Sequence, residues 1–94
     1  VQKDNKYYEA LGRYGELREE YDKCLNSRNE LVNALADTLN EVTAVHICRA
    51  LDIEKTDKQF HLLKEAEIRL VDNISKLNKY AEICGKPGSS IYHL

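Results

Sequence analysis

The chain has 94 residues, 14 of them basic and 16 acidic, with the two signs interspersed. That length supports one domain with a modest core, and the mixed charge sets up no single-sign field for nucleic acid or an anionic membrane. No apolar run approaches a membrane span and the first 30 positions are full of charges, which excludes a transmembrane helix and a retained signal peptide and leads to the expectation of a soluble, cytoplasmic protein.

The sequence begins at Val1 and holds no methionine, which fits a processed start or a piece of something longer. Cys24, Cys48 and Cys84 are an odd, widely spaced set without a Cys-x-x-Cys pair, which suits a reducing compartment better than a disulfide framework.

From the N-terminus, Tyr7, Leu11, Tyr14, Tyr21, Leu25, Val32, Leu35, Leu39 and Val42 recur in steps of three and four, with Arg18 and Arg28 filling two slots of the series. That is a helix with a coiled-coil seam, and Leu17, Cys24, Leu31 and Val45 widen it to the three positions per heptad of a bundle helix. Glycine and proline, the strongest breakers, are absent between Glu16 and Cys84. Ser27 and Glu30 have capping-box spacing, but the three-four rhythm passes through Asn26-Ser27 without a reset. The reading is one helix from about Asp4 to Leu51; the rival is a monomeric three-helix bundle of helices 4–25, 28–51 and 57–84.

A turn is expected at Asp52–Lys55, followed by a capping box of Thr56 and Gln59. The second helix, about 57–84, carries Phe60, Leu63, Leu70, Ile74, Leu77, Ala81 and Cys84 at the same period, interrupted by Glu67. Gly85 can adopt the left-handed cap that ends it, leaving residues 85–94 as a tail. In that tail Tyr92 and Leu94 could add as a strand to a peptide-binding domain, though packing over the bundle end or fraying is the plainer reading.

With the turn near residue 54, an antiparallel hairpin places residues whose numbers add to about 108 at one height. Cys84 then lies level with Cys24, as a small core pair or a disulfide. The segment bearing Tyr7, Tyr8, Leu11, Tyr14, Leu17 and Tyr21 is left without a partner in its own chain. Such a stripe should be covered by another subunit, and tyrosine suits an interface because its ring buries area while its hydroxyl keeps a polar contact. Arg18 and Arg28 need a carboxylate, Glu20, Asp22 or one on a neighbouring chain, unless they snorkel to water. The expected interface is thus Tyr7, Leu11, Tyr14, Leu17, Arg18, Tyr21, Leu25 and Arg28.

His46, Cys48 and His61 gather near the turn, yet His46 and Cys48 point to different sides of a helix and a fourth ligand is lacking, so neither metal nor cofactor is expected. Gly12 and Gly15 lack the lysine and hydroxyl of a phosphate loop and follow no strand. Glu19 with Lys23, Glu65 with Arg69 and Asp72 with Lys76 have the spacing of surface pairs. No nucleophile with a base stands out, so neither an enzyme nor a small-molecule substrate is expected. The expectation is an all-α helical hairpin that oligomerises into a coiled-coil-like bundle and serves as an adaptor or oligomerisation module, binding itself and another protein. The second reading is a nucleic-acid-binding or regulatory accessory protein acting as a helical oligomer. The carboxylates Glu65, Glu67, Asp72 and Glu82, interleaved with the lysines of the second helix, weigh against nucleic acid.

Overall fold

The computed structural model describes residues 4–43, 48–86 and 88. These form two helices packed against each other, α1 at Asn5–Val42 and α2 at Ile53–Cys84, of 38 and 32 residues, with no strand among the described residues. The chain extends 68 × 21 × 20 Å.

Asp4 starts α1 by accepting the Tyr7 N–H at 3.0 Å, which satisfies one of the orphan amides of the first turn. The helix runs unbroken through Asn26-Ser27, so the three-helix alternative does not hold. It stops at Val42 rather than Leu51, where Thr43 turns both its N–H and its hydroxyl onto the Asn40 carbonyl. The β-branched pair Val42-Thr43 lowers helix propensity at this point. The cap of α2 likewise differs from the expected Thr56–Gln59 box. Asp52 accepts from Lys55 N at 3.0 Å, and Thr56 spends its hydroxyl on the Asp52 carbonyl at 2.8 Å. Residues 53–55, expected as turn, are therefore the first turn of α2. At the other end Gly85 takes the expected left-handed cap, φ 69° and ψ 25°, and its N–H bonds to Ala81 O.

The earlier stop of α1 resets the register of the hairpin. Asn73 reaches the Leu17 carbonyl, Arg28 meets Glu67, Gln59 reaches the Ala34 carbonyl and Arg13 lies by Tyr80, so facing residues have numbers adding to between 90 and 95. The expected value of about 108 is wrong by about two heptads. Cys84 is level with Ala10, not with Cys24, and both Cys24 and Cys84 are free thiols. The tyrosine-bearing segment of α1 consequently lies along the C-terminal half of α2, and the argument that it has no partner in its own chain falls.

The inner seam of α1 is Tyr7, Ala10, Tyr14, Leu17, Tyr21, Cys24, Arg28, Leu31, Leu35, Thr38 and Val42, each buried or half-buried. This unbroken alternation of three and four fits the 3.5-residue period of a coiled coil. Its counterpart on α2 is Thr56, Gln59, Leu63, Ala66, Leu70, Asn73, Leu77, Tyr80 and Cys84, with Ile74 and Ala81 buried beside it. Leu77 is fully enclosed. The seam carries an unusual share of polar groups: Thr38 returns its hydroxyl to Ala34 O, while Asn73 Oδ1 and Gln59 Oε1 are buried without a partner. Arg28 Nε sits 2.9 Å from Glu67 Oε1, an ion pair whose alignment falls short of a hydrogen bond.

Candidate protein-interaction flank

A helix with its seam turned to its neighbour leaves two flanks, one bordering each edge of the seam. On α1 the first flank is made by Leu11, Arg18, Leu25, Val32 and Leu39 with, one row further out, Tyr8, Gly15, Asp22, Asn29 and Ala36. On α2 the same side carries Ile53, Phe60, Glu67, Ile74 and Ala81 with Asp57, Lys64, Val71 and Asn78. Only five of these nineteen residues are charged, against fifteen of nineteen in the corresponding rows of the opposite side. The difference is too large to be an ordinary solvated surface on both sides, where charges are shared around the helix.

The apolar flank is most open toward the turn. There Val32 is 38% exposed, Leu39 40%, Ile53 67% and Phe60 54%. Toward the open end of the hairpin the inner row closes, because Ile74 and Ala81 are buried and Leu11 and Leu25 half-buried, while Tyr8 and Val71 of the outer row stay exposed. Phe60, expected in the seam, is thus displaced onto this flank, along with Val32 and Leu39. The signal in the sequence is the phase of Leu17, Cys24 and Leu31: they are the seam, not its widening, and Ala10 and Thr38 complete it.

The opposite side is a mainly charged surface, with Leu62 and Ile83 as its exposed large apolar residues. Glu20, Cys24, Asp72, Asn73 and Lys76 line one cleft, and Glu20, Lys23, Ser27 and Arg69 border the next. Arg13 holds its charge more firmly than usual because Glu16 bonds it at 3.4 Å and Tyr80 lies close. Lys76 pairs with Asp72 at 3.1 Å as its spacing suggested, whereas Glu65 meets His61, at 3.4 Å, in the described contacts. Counted along these rows, seven basic residues face eight acidic ones, so the charged side has almost no net field.

The eight residues expected at an interface divide between seam and flank. Tyr7, Tyr14, Leu17, Tyr21 and Arg28 lie in the seam, where they face α2 of the same chain. Leu11, Arg18 and Leu25 lie on the apolar flank, with the Arg18 guanidinium 5.0 Å from the Tyr21 ring centre. Arg28 has found its carboxylate in Glu67 of its own chain rather than in Glu20 or Asp22. Val32, Leu39, Ile53 and Phe60 are the flank residues the interface reading omitted.

Of the possible metal ligands near the turn, His46 lies outside the described residues, Cys48 is exposed and His61 is occupied with Glu65. No group of three or more His, Cys, Asp or Glu side chains is placed to hold a metal among the described residues. Tyr92 and Leu94 also lie outside them. No described helix is long and apolar enough to cross a membrane. No protein-family model, curated protein or solved structure matches this chain.

Proposed function

We propose that the chain is a non-catalytic interaction or oligomerisation module, a helical hairpin that lays one flank against another protein. The contrast between the flanks carries this reading: five charged residues in nineteen on one side, fifteen in nineteen on the other. Depletion of charge with retained Leu, Ile, Val and Phe is the composition of an interface centre, and Phe60 offers the kind of large aromatic anchor on which binding energy concentrates. The tyrosines support the hairpin, not the contact. They are half-buried in the seam, and the register of the hairpin sets Val32 and Leu39 of one helix level with Phe60 and Ile53 of the other.

The balance of seven basic and eight acidic residues on the charged side favours a protein partner over nucleic acid, since phosphates approaching those lysines would meet a comparable number of carboxylates. The test is to replace Val32 and Phe60 together by glutamate in the native host and compare the proteins cross-linked to the chain, copies of itself included. The reading expects a distinct set of cross-links to vanish in the double variant. An unchanged set in a variant that is still folded refutes it.

A further inference from the structure

We infer that the occupant of the apolar flank is a second copy of this chain, two hairpins stacking flank to flank as a four-helix bundle. This rests on the interaction reading above and names its partner.

Area is the first argument. The chain exposes 7545 Å², whereas a compact monomer of this mass exposes about 5,500 Å². The surplus of about 2,000 Å² per chain exceeds the roughly 800 Å² that each partner gives up in a standard interface, so it leaves room for a large contact. A partner that removes it must lie along much of the length of the hairpin. A second hairpin, 68 Å long like the first, does so, whereas a short peptide would cover only part of it.

Charge is the second argument. The flank presents Arg18, Asp22, Asp57, Lys64 and Glu67 as its only ionic groups, two basic and three acidic. It therefore offers nothing to select a partner of strong single sign and little to repel its own kind, and the formal net charge of −2 adds only weak self-repulsion. An apolar, nearly neutral surface can meet its own copy without like-charge repulsion, which suits a two-fold contact, where the same patch is presented by both subunits.

Gly15 is the third argument. It is inside α1, its φ is not positive, and a Cβ built there meets nothing within 4 Å. No close approach within the chain calls for a missing side chain there, as none does at Gly12 off the flank, and glycine weakens a helix. It stands in the outer row of the apolar flank, where the missing side chain lets a partner helix approach closely.

The experiment is sedimentation equilibrium of the purified chain across a wide concentration range, with two variants. The wild type is expected at twice 10.8 kDa. Val32→Lys with Phe60→Lys should raise the dissociation constant at least about thirtyfold. Gly15→Leu, which favours helix and so cannot fail by unfolding α1, should weaken association while leaving or raising helical circular dichroism. A monomeric wild type at all concentrations, or a dimer that both variants leave unchanged, overturns the inference. A monomer that still shows flank-dependent cross-links to a different protein would end the self-association while sparing the interaction reading; a monomer without them would end both.

Discussion

Replacing Asn73 by leucine tests the seam most directly. Asn73 is 4% exposed, its Nδ2 donates to Leu17 O at 3.3 Å, and its Oδ1 is buried without a partner. Leaving that oxygen unpaired costs about 1–3 kcal/mol, against about 0.5–1.5 kcal/mol returned by one neutral hydrogen bond. The Leu17 carbonyl sits inside α1, where the i+4 amide serves it, so losing the Asn73 donor strands nothing. A leucine of similar volume adds apolar burial at a site flanked by Leu70, Ile74 and Leu77. The sum is a stabilisation of about 2 kcal/mol, or a midpoint rise of about 10 °C for a domain of this size. Urea unfolding at one fixed protein concentration measures it, with an unchanged slope showing that the native and denatured states expose the same surface as before. Because a buried asparagine also fixes register at a cost in stability, the variant is expected to gain stability while its amide spectrum broadens through alternative alignments. A loss of 1 kcal/mol or more would refute the reasoning, for it would mean that both ends of the Asn73 amide are satisfied in the folded hairpin.

Three further outcomes follow from the same geometry. Leu77→Ala empties the fully enclosed position of the seam and should cost about 2–5 kcal/mol by chemical denaturation, whereas Leu62→Ala, at a side chain 49% exposed, should cost far less. Asp52→Ala removes the cap that receives Lys55 N and should cost about 0.5–2 kcal/mol; Gln59→Glu, the position of the discarded capping box, should not restore it. Gly85→Ala forces a side chain into the left-handed region at φ 69° and should cost about 1–2 kcal/mol, read as faster amide exchange in the last turn of α2 before the rest of the helix.

Legibility in the sequence differed from element to element. Asp4 as the start of α1, the uninterrupted passage through Asn26-Ser27 and the stop at Gly85 were readable, because capping, helical phase and left-handed glycine are local effects. The end of α1 was not, because the β-branched stop at Val42-Thr43 is a small propensity that had to be weighed against a continuing apolar rhythm. The expected interface failed in two ways: the tyrosines through that error of register, and Val32, Leu39 and Phe60 through the choice between two neighbouring stripes. Val32, Leu39 and Phe60 looked like seam, and Tyr7, Tyr14 and Tyr21 looked like an unpartnered surface, although all six obey the periodicity that had been recognised.

By itself, then, the amino-acid sequence determined that the chain is helical, that its apolar residues repeat at 3.5 positions and that α2 ends at Gly85. The tertiary structure alone decided which residue faces which. A heptad pattern looks the same after a slide of seven or fourteen residues, so the pairing of Leu17 with Asn73 and of Arg28 with Glu67 depends on where the chain turns back, while the rotation of α1 about its own axis puts Ala10, Leu17 and Cys24 in the seam and Leu11 and Leu25 at its edge.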